Sequence, residues 1–249
     1  MTRFFVNETD IRSSRVIISG GDAKHITKVL RLGRGDYITV SDGKGNDCLA
    51  GISKIMPDAV YAEIIGVMGG NTESPIEVCL FQGIPKADKM ETIIQKSVEL
   101  GVKSIVPVMT ERTVVRFDNA GSAEKKASRW RKISLEAAKQ CNRSIIPGVE
   151  SPVNFADALE LMRSFDLAVI PYENDKLNSL KSFIKKNINR RIARAAVMIG
   201  PEGGFSEEEI DKARSFNIET VTLGPRILRT ETAGIAVIAI LMYELGDIG

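Results

Sequence analysis

Two segments near the carboxyl end of the chain hold the residue types a ligand site needs. The first lies in AAVMIGPEGGFSEEEI (195–210), the second in TVTLGPRILRTETAGIAVIAIL (220–241). Each places Gly-Pro after an apolar stretch and before a helical pattern, where open α/β sheets bind their ligands. Gly200, Gly203 and Gly204 allow close backbone approach, and Glu202 offers a carboxylate between a strand end and a helix start. In the second segment Ile227 and Leu228 interrupt polar residues where a flat base could be sandwiched. Arg229, Thr230, Glu231 and Thr232 then crowd four polar groups before a helix. Neither loop is built for phosphate: there is no G-x-G-x-x-G and no Gly-Lys-Ser/Thr ending. Glu207, Glu208 and Glu209 suit a helix N-terminus and would repel a pyrophosphate placed there. The pattern therefore favours a ligand that is neutral or cationic in its reactive part, a description that S-adenosylmethionine meets. The plainer readings are a strand-to-helix turn for the first loop, and Thr230 or Thr232 as N-cap for the second.

These loops need an α/β frame, and the periodicity supplies one. From Ile76 onward apolar runs alternate with helical patterns, with strands expected at 77–81, 104–108, 167–170, 195–199 and 220–223. Helices are expected at 89–100, 122–141, 154–164, 177–188, 206–216 and 233–245. Such alternation implies a mostly parallel sheet covered by helices. Ser206 followed by Glu209 is a capping box. The long helix 122–141 should bury Trp130, Ile133, Ala137, Ala138 and Cys141. Before Gly70 the rhythm differs: short strands at 37–40, 49–55 and 60–65, a hairpin loop over 42–46, and one helix at 22–32. Gly69-Gly70-Asn71-Thr72-Glu73-Ser74-Pro75 reads as a linker, dividing the chain into domains 1–72 and 73–249.

The 249 residues are 43% hydrophobic and 27% charged with a formal net charge of +2, an ordinary globular composition. Mild basicity permits an RNA partner without arguing for one. Cys48, Cys79 and Cys141 are widely spaced and His25 is the lone histidine, so no zinc site or disulfide framework is expected. No signal-length apolar stretch opens the sequence and the most apolar helix is short for a bilayer; a cytoplasmic protein is expected.

GPEGG and LGPRILRTETA resemble the signature of the 16S rRNA (uracil-N3)-methyltransferase family, a branch of the SPOUT methyltransferases. HITKVLR, GDYITVSDGKG, KADKMETIIQKSVELGV, PVMTERTVV and RWRKISLEAAKQCNRSIIP extend the resemblance in order over the whole chain. It implies a small N-terminal PUA-like β-barrel that binds RNA, and a C-terminal SPOUT domain with a trefoil knot. It further implies a homodimer acting on 16S rRNA, within the small ribosomal subunit. The knot loops that would bind S-adenosylmethionine are Pro171-Tyr172-Glu173, Gly200 to Gly204, and Leu223 to Ala233. Their contributing residues are Ile199, Gly200, Glu202, Gly203 and Gly204, then Leu223, Gly224, Ile227, Leu228, Arg229, Thr230, Thr232 and Ala233.

Arg229 would orient the uracil or stabilise its developing negative charge. Arginine is a poor base, so the N3 proton would leave to Glu231, another carboxylate or water. Lys24, Lys28 and Arg31 should share one helical face, with Ile26, Val29 and Leu30 on the other; with Arg3 and His25 they form a candidate RNA contact. A second basic candidate is 122–143, with Lys125, Lys126, Arg129, Arg131, Lys132, Lys139 and Arg143 against Glu124 and Glu136. Three rivals stand beside this reading: a non-catalytic RNA-binding assembly factor, a SPOUT enzyme methylating ribose 2′-OH or another base position, and a nicotinamide enzyme, which the missing glycine fingerprint disfavours.

Overall fold

The computed structural model describes all residues except 1, 8–10, 13, 70 and 71; two positions of the expected linker therefore lie outside the described residues. The chain forms two compact units, one of Met1–Glu73 with Ala138–Ile146, the other of Ser74–Ala137 with Pro147–Gly249.

The first unit is a curled sheet of strands β1 (Arg3–Phe5), β2 (Ile11–Arg12), β3 (Arg15–Ser19), β4 (Tyr37–Ser41), β5 (Asp47–Met56) and β6 (Ala59–Val67), in the order β1-β4-β5-β6-β3-β2. Alternating Val16, Ile18, Ile38, Val40, Ala50, Ile52, Val60 and Ala62 fill its core with Phe4 and Ile26. The helix expected over 22–32 is one α-turn, α1 (Gly20–Lys24), continued as a π-helical turn (His25–Val29). That departure has consequences. The wider π-turn rotates Val29 out to 68% exposure while Ile26 stays fully buried. Arg31 falls beyond the helix in the left-handed region, at φ 55°. The two-faced helix is thus corrected, although Lys24, His25, Lys28 and Arg31 are all exposed.

Arg3 is held inside this unit: its guanidinium lies 2.5 Å from Asp47 and donates to the Asn142 carbonyl. Within the returning segment, Arg143 is buried against Glu73, and Lys139 bridges Asp22 at 3.1 Å. Two of the seven basic residues of 122–143 are therefore spent on internal ion pairs.

The second unit is built on a sheet of β7 (Glu77–Gly83), β8 (Ser104–Met109), β9 (Gly148–Val149), β10 (Val153–Asn154), β11 (Leu167–Pro171), β12 (Arg194–Ile199) and β13 (Glu219–Val221). The order is β10-β8-β7-β12-β11-β13, with β9 also on β8, and every described pairing is parallel. Sheets buried on both faces carry continuous apolar runs, as in Val78-Cys79-Leu80-Phe81 and Ala195 to Ile199. One face packs Phe81, Val106, Ile170 and Met198 against α4 (Phe155–Met162) and α6 (Glu207–Ser215). On the other, α7 (Thr230–Leu245) packs against β7, β12 and α2 (Lys89–Glu99).

Local chemistry starts the helices. Ser206 and Glu209 exchange side-chain and backbone bonds as an observed capping box before α6. Ser179 and Ser182 do the same before α5 (Leu180–Asn187). The long helix α3 (Ala120–Gln140) buries Ala127, Trp130, Ser134, Ala137 and Ala138. Ile133 and Cys141, expected in that stripe, are only half-buried; Ser134 takes the inward position because its hydroxyl reaches the Pro147 carbonyl at 2.7 Å. After β13 at the sheet edge, the chain runs back past β11 and β12 before α7 begins. That return is where the resemblance places the knot.

Candidate cofactor cleft

Three loops leave the carboxyl ends of neighbouring strands β13, β11 and β12, and they are laced together by hydrogen bonds. Tyr172 N–H donates to Val221 O at 2.8 Å, Thr222 N–H to Asn178 O at 2.7 Å, and Leu180 N–H to Thr222 O at 3.1 Å. These join the β11 loop to the β13 loop. The β12 loop is joined to α7 by Thr230, whose buried hydroxyl donates to Gly200 O at 2.6 Å and accepts from Gln82 Nε2 at 2.9 Å. The N-cap of α7 is Arg229, with no side-chain cap bond. Thr230 is therefore no helix cap; its hydroxyl ties β7, the β12 loop and α7 together. Close approach requires glycine here: a Cβ on Gly83 would lie 2.7 Å from Pro201.

The loops enclose a cleft with two adjoining lobes. One, of about 490 Å³, is lined by Pro171, Tyr172, Glu173, Asp175, Lys176, Thr222 to Leu228 and Ala233. The other, also about 490 Å³, is lined by Lys89, Pro171, Glu173, Ile199 to Phe205, Ile227 to Thr230 and Ala233. Pro171, Glu173, Ile227, Leu228 and Ala233 belong to both. Of the expected cofactor residues only Thr232 lines neither lobe; it is exposed on α7.

The electrostatics follow from who is paired with whom. Glu202 accepts from the Lys86 N–H at 3.1 and 3.2 Å and pairs with Lys89 at 2.9 Å. Burial pushes its carboxyl up, but the Lys89 hydrogen bond and charge, with the backbone N–H donors, hold it below the ordinary 4.5. The hydrogen bond to Glu202 in turn raises Lys89 above 10.5. Lys89 also reaches Glu231 Oε2 at 3.6 Å, too far for a hydrogen bond, and that oxygen is shielded from solvent with no donor of its own among the described residues. Arg229 is exposed, and its guanidinium has no partner among the described residues. Ile227 leaves 87% of its surface open beside it, an apolar face that a flat ring would cover.

Lys89 and Gln82 are functional neighbours that the sequence reading missed. Lys89 lies in the quoted KADKMETIIQK stretch, but nothing local ties it to Glu202. Beyond the cleft, Arg112 donates to Gly203 O at 2.8 Å, and the Glu111 N–H to Glu209 at 2.8 Å, fixing the loop after β8 against the glycine loop and the first turn of α6. Arg131 pairs with Glu124, and Arg129 with Glu91 at 2.5 Å. Lys125 and Lys132 stay exposed and Lys126 lies over the Phe117 ring at 6.0 Å, so the basic face of α3 narrows to three lysines. Among the described residues no His/Cys/Asp/Glu group could hold a metal, and no helix is long and apolar enough to cross a membrane.

Comparison with known proteins agrees with this architecture. Residues 72–242 match the model of an RNA methyltransferase domain and 18–65 that of an RNA methyltransferase PUA domain. The ribosomal RNA small subunit methyltransferase E of Bacillus subtilis is 34% identical over 98% of this chain and 97% of its own. The Neisseria gonorrhoeae protein of that name, solved bound to S-adenosyl methionine, superposes with a TM-score of 0.87 at 34% identity over all of both chains. A Legionella pneumophila protein solved with the same cofactor gives 0.87 at 31% identity, again over all of both chains. The chain, a SPOUT fold with an N-terminal PUA domain, belongs to the ribosomal RNA small subunit methyltransferase E family.

Proposed function

We propose that the protein transfers a methyl group from S-adenosylmethionine to N3 of a uridine in 16S ribosomal RNA. The observation that carries this reading is the convergence of three loops on one cleft tied by Thr230, in a fold whose Neisseria relative was solved with that cofactor. The residues present fit the group. The cleft offers the open apolar face of Ile227, the Glu173 carboxylate at the seam of its two lobes, and a lysine already committed to Glu202. A pyrophosphate would meet repulsion there; an adenosine bearing a cation would not. The residues that would hold it are Gly200 to Gly204, Leu223 to Leu228, Tyr172, Glu173 and Ala233.

The bound cofactor supplies an already activated methyl group. The protein supplies alignment, which can contribute roughly 7–11 kcal/mol to such a step. Arg229, free to turn toward a base, holds the uracil and stabilises the negative charge that grows as N3 loses its proton. Glu231, two residues on in the first turn of α7, takes that proton. Lys89, held protonated by its bond to Glu202, lies 3.6 Å from the Glu231 carboxylate.

The domains proposed at 1–72 and 73–249 divide the labour. On the first, exposed Lys24, His25, Lys28 and Arg31 contact RNA phosphates. Arg3 supports that surface from within rather than touching RNA. The substrate is rRNA of the small ribosomal subunit, in the cytoplasm. The protein works as a homodimer: Ile188, Ile240 and Tyr243, 44%, 40% and 67% exposed, give α5 and α7 an apolar surface for a second copy. The test of function is methyl transfer from labelled S-adenosylmethionine to small subunits lacking the modification, followed by nucleoside analysis. Labelled 3-methyluridine is expected; labelled 2′-O-methylated nucleoside, or no transfer, overturns the assignment.

A further inference from the structure

Four carboxylates line or border the cleft, and three are partnered. Asp175 accepts from the Thr220 hydroxyl at 2.5 Å and from the backbone N–H groups of Leu177 and Asn178. Glu202 is neutralised by Lys89, and Glu231 shares that lysine. Glu173 alone has no hydrogen bond or ion pair among the described residues. It is exposed, yet it lines both lobes and so stands at their seam. Its position over the glycine loop is close: a Cβ on Gly204 would come within 3.0 Å of Glu173 Oε1. Gly204 also has φ +66°, so the loop turns where only glycine leaves room for this carboxylate. The seam therefore carries one carboxylate with no hydrogen bond or ion pair among the described residues, at the place where the lobes meet.

We infer that Glu173 distinguishes the charged methyl donor from its spent form, favouring entry of one and release of the other. This rests on the cofactor reading above. The donor carries a sulfonium cation; the spent form carries a neutral thioether at the same atom. All other groups, including the amino acid ammonium, the ribose and the adenine, are common to both. A carboxylate facing the sulfur rewards only the first, whereas hydrogen bonds to the shared groups hold both alike.

The test is the dissociation constant of S-adenosylmethionine and of S-adenosylhomocysteine for the wild-type protein, E173Q and E173D, by titration calorimetry without RNA. Glu173→Gln should weaken the donor about fivefold, as for an exposed ion pair, and move the spent form by less than about twofold. Glu173→Asp, which keeps the charge, should retain most of the preference. Added salt should narrow the wild-type preference and leave that of E173Q unchanged. Equal weakening of both ligands by E173Q would assign Glu173 to a shared group and overturn the inference, as would no change in either. A wild-type protein that binds neither ligand overturns the cofactor reading itself, so the two failures are distinguishable.

Discussion

Replacing Thr230 with valine removes one hydroxyl, and the structure sets the cost. The substitution keeps the shape and leaves Gly200 O without its 2.6 Å donor and one Gln82 N–H without its 2.9 Å acceptor. The other Gln82 N–H keeps Gly83 O at 3.0 Å, but Gln82 Oε1 is already buried without a partner, so the amide has no better arrangement to adopt. Each buried group left unsatisfied costs about 1–3 kcal/mol, which gives roughly 2–4 kcal/mol for the pair after allowing for relaxation. At about 2–4 °C per kcal/mol for a unit of this size, the melting transition of the methyltransferase unit should fall by about 4–16 °C. The transition of the other unit should not move, so calorimetry that resolves the two is the right assay. Because the same hydroxyl ties α7 to the glycine loop, cofactor affinity should fall as well, by about tenfold. Thr230→Ser keeps the hydroxyl and should stay close to wild type in both readouts. A valine variant that melts within about 1 °C of wild type and binds the cofactor equally would refute the tether.

Other consequences are simpler to state. Arg229→Ala should leave stability within about 0.5 kcal/mol and cofactor affinity unchanged while lowering turnover by about a hundredfold; near-normal turnover would remove its assigned role. Gly204→Ala should destabilise by about 1–2 kcal/mol because of its positive φ and weaken cofactor binding, as thermal melts and calorimetry would report. Asp175 gives a pH signature. Burial pushes its carboxyl up, but the Thr220 hydroxyl, the Asn178 and Leu177 N–H groups and the Arg214 charge hold it below 3.8. A carboxyl depressed in the folded state stabilises above its unfolded value and loses that contribution as pH falls through the folded value. Asp175→Asn should therefore lower stability at neutral pH and flatten the fall below about pH 4, as acid titrations would show. Charge reversal at Lys24, Lys28 and Arg31 should weaken RNA binding and flatten its salt dependence; an unaltered slope would make them a solvated face.

Much of this protein is written locally in its sequence. The switch from short β segments to strand–helix alternation near Ile76, the runs that became β7 and β12, and the Ser206–Glu209 capping box all depend on residues within a few positions of one another. Hydrophobic period and capping chemistry act at that range, so a sequence displays them directly. The chemistry of the two Gly-Pro loops was legible for the same reason, since glycines, a base-sized apolar pair and the lack of a phosphate motif are compositional facts. Other features were decided by contacts that local patterns do not encode. Thr230 reads as a helix cap until Gln82, 148 residues away, and Gly200 claim its hydroxyl. Lys89 looks like one more surface lysine until folding sets Glu202 against it. Arg3 and Arg143 read as basic surface, yet Asp47 and Glu73 consume them, and a π-turn exposed Val29 where α-helical spacing would bury it. A side chain's job depends on which partner desolvates and pairs with it, and the fold brings that partner from anywhere in the chain.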